Sequence, residues 1–566
     1  MGLQRVRGWW FIRLALTLVG KKGIGELKRA SKNALKAQEK TLRAILAVSK
    51  DTVYGKEHHF EDILKAAGPR ELFALYRNQV PVNDYENFRP YIERHKQGEA
   101  DVLFAGKPKM YAKTSGTTKE PKWVPITEQY YQEVYKVMNQ LWFYTLIMNK
   151  PRAFYGKTLS VVGNAIEGAA PDGTVYGSIS GISQRDIPEF MEVLHPAPAD
   201  IFHIADYKAR YYAIMRMGIE QDITLIITAN PSTLVEMQNN VNEFYDEYVE
   251  DIEKGALSRR VPISDEIRAA LEKRIRPNPR RAAELRALKL RYGKVLPKHY
   301  WPNMQIVNVW FCGNTKIFFD KIADSFPENC FFHEMGYYAT ECRPGIVLKS
   351  NSPDTVIFGH KIFFEFIHES ELESENPHIY RIDEVEKGER YCMVVTTSAG
   401  LYRYNMNDLV EITGFLNQFP TLKLIQKVNG TVNMTGEKLH ERQFVEAVHA
   451  AEQETGSHVA FFVGFADASK AAYRFYYEFV NAGITQEKAE NFTRVLDGYL
   501  KKFNIEYEAK RASNRLKDPE TALLVNESFE KFKSSCIDKG YRDGQFKVNL
   551  LMQDEKRHAM FKELVR

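Results

Sequence analysis

The chain has 566 residues, 44% of them hydrophobic and 27% charged, and 78 Lys and Arg against 73 Asp and Glu leave a formal net charge of +5. This mixture excludes a disordered chain, a collagen-like chain and a multispan membrane protein, and at roughly 100–200 residues per domain it predicts several structural units with ample core. The basic excess is thin and interleaved with acid, so nucleic acid is not expected as a partner. The densest basic run, Arg274 to Arg281, reads as the solvated face of a helix.

The first apolar segment, Trp9 to Val19, is broken by Arg13 and is shorter than the roughly 20 residues a membrane span needs. It reads first as a helix packed on the main body and second as a peripheral helix at a membrane surface. Residues 24–50 are helical in composition. From Asp101 the text alternates strand and helix. Met110–Lys113 and Lys122–Ile126 are expected strands around a polar loop, and Thr127 is the expected cap of a helix carrying Tyr131, Val134, Val137, Leu141 and Tyr144. Ile223–Thr228 is a continuous apolar strand, followed at Asn230-Pro231-Ser232 by a helix expected to run to about Glu250. Strands such as Val356–Phe366 and Tyr391–Thr397 suggest a β-rich subdomain. The pattern is an α/β fold with a largely parallel sheet.

After Lys427 the character changes. Helices near 441–454, 485–503 and 526–538 and strands at 458–464, 472–480 and 546–550 make an α+β unit of independent size. We therefore expect an N-terminal domain over 1–426 and a mobile C-terminal domain over 427–566, with a hinge at Gln426–Gly430. Five cysteines (Cys312, Cys330, Cys342, Cys392 and Cys536) form no Cys-x-x-Cys pair. This predicts a reducing, cytoplasmic setting without disulfides or structural zinc, and Cys342 is expected to be a packing residue. His58, His59, His203, His333 and Glu334 lack zinc spacing and read as structural or surface groups.

The most informative segment is Lys113-Thr114-Ser115-Gly116-Thr117-Thr118-Lys119-Glu120-Pro121-Lys122. Hydroxyls and exposed backbone N–H groups suit it to polyphosphate, and Gly116 permits close approach. It is neither a Walker-type loop nor a Gly-x-Gly-x-x-Gly fingerprint. Thr-Ser-Gly-Thr-Thr-x-x-Pro-Lys resembles the phosphate loop of the adenylate-forming superfamily. Tyr337-Tyr338-Ala339-Thr340-Glu341 resembles that superfamily's Tyr-Gly-x-Thr-Glu. Leu401 to Asp408, followed by Thr413-Gly414-Phe415, is similar to the Tyr-Arg-Leu-Gly-Asp and Thr-Gly-Phe motifs of the Gretchen Hagen family, the auxin-responsive acyl-acid amido synthetases. Gly544-Gln545-Phe546-Lys547 resembles that family's C-terminal Asn-Gln-Tyr-Lys. Four motifs in order span positions 113 to 547.

The resemblance implies a luciferase-like adenylating fold and a two-step reaction. A small carboxylic acid attacks the α-phosphate of ATP, and an amino acid or other amine then takes the acyl group. Ser115, Gly116, Thr117, Thr118 and Lys122 would hold the β- and γ-phosphates, and Glu341 would ligand Mg²⁺. Gly313 and Asn314, with Tyr337, Tyr338, Ala339 and Thr340, would wall the adenine. Asp408 would accept from the ribose hydroxyls, Lys438 would lie just past the hinge, and Lys547 would be the catalytic lysine. Tyr130 and Tyr176 are candidate walls of an acyl pocket between the helix of 128–149 and the segment Ser160–Ser183. A monomer is expected. Lys119, Asn405 and Asn407 depart from the family pattern, and Asn407 stands where glycine is usual. A thioester ligase using coenzyme A and a nucleotide-binding sensor are the alternatives.

Overall fold

The computed structural model describes residues 9–113, 122–204, 206–311, 316–349, 352–372, 374–428, 431–432, 434–435, 437, 439–481, 483–512, 516–538, 548–553 and 555–566. The chain divides into two compact units, Met1–Met406 with Val410–Leu424, and Asn407–Leu409 with Ile425–Arg566.

In the first unit the opening helix, Trp9–Ala30, lies against the helix Val137–Asn149. Contact is close because Gly20 and Gly23 face it: a Cβ at Gly20 would come within 2.2 Å of Tyr144, and one at Gly23 within 2.6 Å of Leu141. The helical stretch expected over 24–50 is two helices. The first ends at Ala30, and Asn33 caps the second, Ala34–Ser49, by accepting from Lys36 N–H. That second helix buries Gln38, whose amide donates to the carbonyls of Gly359 and Ile362 and accepts from Phe364 N–H. The expected strand Val356–Phe366 is accordingly two strands, Thr355–Ile357 and Phe363–His368, because Gln38 satisfies the backbone of the turn between them.

These two belong to a seven-stranded sheet in the order Ile379–Arg381, Phe363–His368, Arg390–Thr396, Tyr404–Leu416, Phe419–Lys427, Thr355–Ile357, Gly345–Val347. The parallel sheet expected from the apolar run is present: Lys157–Val161, Ile223–Thr228, Ile306–Asn308 and Phe331–His333 pair in that order, all parallel. All six residues of Ile223–Thr228 are buried, as a strand covered on both faces requires. Asn230 caps the following helix through Ser232 N–H, with Pro231 in its first turn. That helix ends at Glu243 rather than near 250. Phe244 leaves helical geometry (φ −107°, ψ 24°) and packs edge-on against Tyr212, and a second helix runs Tyr245–Lys254.

The basic run is only partly solvated. Arg280 is exposed, but Arg281 is buried and donates to the carbonyls of Ile219 and Tyr300. Its charge ties helix Pro279–Tyr292 to the body instead of facing solvent.

In the second unit, strands Val459–Asp467 and Ala472–Phe479 pair antiparallel at the centre of a four-stranded sheet, with Leu551–Met552 and Glu520–Leu523 parallel at its edges. Helices Glu441–Thr455 and Gln486–Phe503 pack together, and Phe444, Phe475 and Phe492 are among the buried residues. Every Trp of the chain (Trp9, Trp10, Trp123, Trp142, Trp301 and Trp310) lies in the first unit.

Candidate adenylation site

Strands Met110–Lys113 and Trp123–Ile126 pair antiparallel, with Lys113 opposite Trp123. They fix both ends of the Thr/Ser/Gly loop. Ser115, Gly116, Thr117, Thr118 and Lys119 themselves lie outside the described residues, as do Gly313, Asn314, Lys438 and Lys547.

Lys122 is described, and it is where three sequence-distant motifs meet. Its Nζ lies 3.4 Å from Oε1 of Glu341 and donates to the hydroxyl of Tyr404 at 3.1 Å. The ammonium also stands 5.7 and 5.8 Å from the ring centroids of Tyr85 and Tyr404. Tyr85 is held in turn by Trp123 N–H, which donates to its hydroxyl at 2.6 Å, and burial pushes its phenol up to about 12. Glu341 and Lys122 are both half-buried, so a new anion can reach the cation.

Around Glu341 the backbone is tightly arranged. Tyr337 N–H donates to Thr355 Oγ1 at 3.1 Å, Ala339 N–H to the Cys342 carbonyl at 3.1 Å, and Trp310 Nε1 to the Gly336 carbonyl at 3.0 Å. Glu334 is buried and accepts from Phe311 N–H at 2.9 Å, one residue before the undescribed 312–315. Cys342 is fully buried, and burial pushes its thiol up to about 12, which fits a packing residue and not a nucleophile. His333 is likewise buried and pushed down to about 4. Among the described residues no group of three His, Cys, Asp or Glu side chains could hold a metal by itself.

Tyr130 is buried beside Arg343, whose N–H lies 3.5 Å from its hydroxyl. Tyr176 is half-buried, its ring 4.6 Å from Trp123 and 5.1 Å from the Lys113 ammonium. A cavity of about 190 Å³ is lined by Gly163, Asn164, Gly181, Arg185, Asp200 and His203 among others, with neither Tyr130 nor Tyr176 in its wall.

Arg403, inside the Tyr-Arg-Tyr segment, points away from this cluster. Its Nε donates to Glu365 at 2.8 Å, and its Nη1 donates to the Val80 carbonyl at 2.7 Å. Arg77 pairs with the other oxygen of Glu365, also at 2.8 Å. Asn83 clamps the segment from outside: its N–H donates to the Arg403 carbonyl and its own carbonyl accepts from Asn405 N–H. Asn407 has φ 53°, in the left-handed region that asparagine tolerates nearly as glycine does. Asp408, one residue on, is buried at 3% exposure and groups with the second unit.

Compared with known proteins, the GH3 family N-terminal domain matches residues 23–331, its central domain 355–427 and its C-terminal domain 442–556. This chain is a member of the GH3 family. It is 25% identical over 447 residues to the jasmonoyl–L-amino acid synthetase JAR4 of Nicotiana attenuata, covering 76% of this chain and 75% of that one. It is 24% identical over 557 residues to the probable indole-3-acetic acid-amido synthetase GH3.1 of Arabidopsis thaliana, covering 93% and 90%. Among solved structures, GH3.15 acyl acid amido synthetase superposes with a TM-score of 0.82 at 19% identity over 96% of both chains. A 2-hydroxyisobutyryl-CoA ligase in the postadenylation state superposes at 0.51 and 12% identity over 94% of this chain and 91% of that one. The fold is therefore that of the adenylate-forming ligases. Lys122, the last residue of the Thr-Ser-Gly-Thr-Thr-x-x-Pro-Lys run, is supported in the structure by Tyr85 and Tyr404.

Two further residues of this GH3 chain were missed by sequence reasoning. Arg343 is buried, donates to Asn139 Oδ1 at 2.5 Å and lies 5.1 Å from the Tyr338 ring centroid. No carboxylate pairs with it among the described residues, and burial pushes its guanidinium below the ordinary value. Tyr135 is buried in a π-helical turn, Tyr131–Lys136, between Tyr130 and Tyr338. Such turns recur at functional sites. The arginine directly after Glu-Cys was the available signal for the first; nothing in the periodicity distinguishes a π-turn from a helix.

Proposed function

We infer that this chain activates a carboxylic acid with ATP as an acyl-adenylate and transfers the acyl group to the amine of an amino acid. It is an adenylate-forming ligase of the acyl-acid amido synthetase type. In the first step a carboxylate oxygen attacks the α-phosphorus and the bond to pyrophosphate breaks. In the second, the amine nitrogen attacks the acyl carbon, AMP departs and the amine loses a proton.

The observation that carries the residue-level reading is the convergence of Lys122, Glu341 and Tyr404 from three separate motifs. Without nucleotide, Glu341 and Tyr404 hold the Lys122 ammonium in place. With ATP bound, Lys122 turns to the β- and γ-phosphate oxygens, a charge-assisted contact stronger than the one it leaves. Glu341 is then free to hold Mg²⁺, and a single carboxylate fits, because that cation is ordinarily shared between one or two carboxylates and substrate phosphates. Mg²⁺ supplies charge neutralisation at the phosphate oxygens. Ser115, Gly116, Thr117 and Thr118 donate to the same oxygens. Gly313, Asn314 and Tyr337–Thr340 flank the adenine, Asp408 accepts from the ribose, and Lys438 and Lys547 act from the C-terminal domain, Lys547 at the α-phosphate. Glu437, beside Lys438, is buried; burial raises its carboxyl, but donation from the N–H groups of Thr435 and Met434 and from Tyr473 brings it below the ordinary value. Tyr130 and Tyr176 wall the acyl acid.

The test is pyrophosphate release across a panel of aromatic, indolic, cyclopentyl and straight-chain acids. Release that depends on both acid and ATP supports the reading. ATP binding without release for any acid would favour the sensor.

A further inference from the structure

The first helix is apolar on two opposite sides. Ile12, Leu16, Gly20, Gly23 and Leu27 are buried. At about 100° per residue, Trp10, Phe11, Leu14 and Leu18 fall on the side diametrically across from them. Those four are exposed by 61, 48, 50 and 61%. A water-facing helix side is ordinarily polar, so this arrangement needs an apolar neighbour. Because the glycines seat the helix closely on Val137–Asn149, it cannot rotate to hide the outer stripe without opening the inner one.

The charge around the stripe says what that neighbour is. From Met1 to Gly25 the sequence holds Arg5, Arg7, Arg13, Lys21 and Lys22 with no Asp or Glu, an excess as large as the +5 of the whole chain. Arg13, Lys21 and Lys22 are exposed. No helix among the described residues is long and apolar enough to cross a membrane. The stripe also lies ahead of residue 23, where the family match begins, so the ligase chemistry does not account for it.

We propose that Trp9–Val19 lies in the plane of an anionic lipid bilayer. Trp10, Phe11, Leu14 and Leu18 enter the boundary of the acyl chains, while Arg13, Lys21 and Lys22 reach the lipid phosphates. Charge complementarity selects this occupant. A second copy of the chain would bring the same cations against themselves, and a neutral protein groove would leave them unpaired. The attachment is independent of the active-site reading.

The experiment is co-sedimentation of the full chain with phosphatidylcholine vesicles, alone or with about 30% phosphatidylglycerol. Binding is expected only to the anionic vesicles, and it should weaken in about 0.5 M salt. The double variant Leu14→Glu/Leu18→Glu should lower the bound fraction at least about tenfold, with melting midpoint and pyrophosphate release unchanged. If that variant does not fold, Lys21→Ser/Lys22→Ser makes the same comparison on exposed charges. Three results would each overturn the proposal: a folded wild-type chain that stays in the supernatant, variants that bind as wild type does, or a solution dimer that Leu14→Glu/Leu18→Glu dissociates.

Discussion

Replacing Glu365 with Gln tests how the strand bearing Tyr404 is held. Glu365 has a side-chain exposure of 1%, and each of its oxygens is 2.8 Å from a guanidinium Nε, Arg77 on one side and Arg403 on the other. Glutamine keeps the shape and removes the charge. Its carbonyl can accept from one arginine, but its NH₂ must then face the other donor. At an effective dielectric near 20 each ion pair is worth about 4 kcal/mol before desolvation is subtracted. Leaving the buried Arg403 and the half-buried Arg77 each half-compensated should cost about 3 kcal/mol, the low end expected for breaking a buried pair. Urea unfolding followed by tryptophan fluorescence reads this cleanly, because every Trp lies in the first unit. The control is Asp62→Asn, which breaks the exposed Lys65–Asp62 pair and should cost under about 1 kcal/mol. The double variant Glu365→Gln/Arg403→Met should be less damaged than the sum of the singles, by about 1 kcal/mol or more. A Glu365→Gln midpoint no lower than that of Asp62→Asn, or strict additivity in the double variant, would show that Glu365 does not hold the two arginines.

Lys122→Met should raise the ATP concentration needed for half-maximal pyrophosphate release by about tenfold or more, since one charge-assisted contact is lost; an unchanged requirement would separate Lys122 from the nucleotide. Lys547→Ala should slow acyl-adenylate formation by about 10²–10³ yet spare amine transfer from a supplied adenylate, as single-turnover kinetics of each half-reaction can read. His95 accepts from Leu103 N–H at 3.0 Å, and burial lowers its pKa from the ordinary 6.5 to about 4. The unfolded chain therefore takes up this proton first, and stability should fall as pH drops from about 6.5 toward 4, with a shallower fall in His95→Gln by thermal melts across pH.

The parts of the fold written in local pattern were legible beforehand. The strand Ile223–Thr228, the Asn230-Pro231 helix start and the helices Glu441–Thr455, Gln486–Phe503 and Ser528–Asp538 read correctly because burial on both faces, capping and 3.6-residue periodicity each leave a mark in sequence, whereas the short helices Ile505–Ala512 and Glu555–Lys562 were not anticipated. What depended on distant partners was not legible. The split of Val356–Phe366 is set by Gln38 more than 300 residues away. The break at Phe244 answers to Tyr212, and the burial of Arg281 answers to the carbonyls of Ile219 and Tyr300. At the site, motif resemblance supplied Lys122 and Glu341, but their contact with each other and with Tyr404 and Tyr85 is tertiary. Arg403 illustrates the limit most clearly: it sits inside a nucleotide-type motif, yet its side chain serves a buried carboxylate.

In the second step the acyl group is expected to go from an adenylate to an amine. Its most direct test is mass spectrometry of a single incubation holding ATP, Mg²⁺, an acid that supports pyrophosphate release, a mixture of amino acids and coenzyme A. An acyl–amino acid amide should accumulate with one AMP per amide, and no acyl thioester should form. Thioester accumulation without amide would contradict the account.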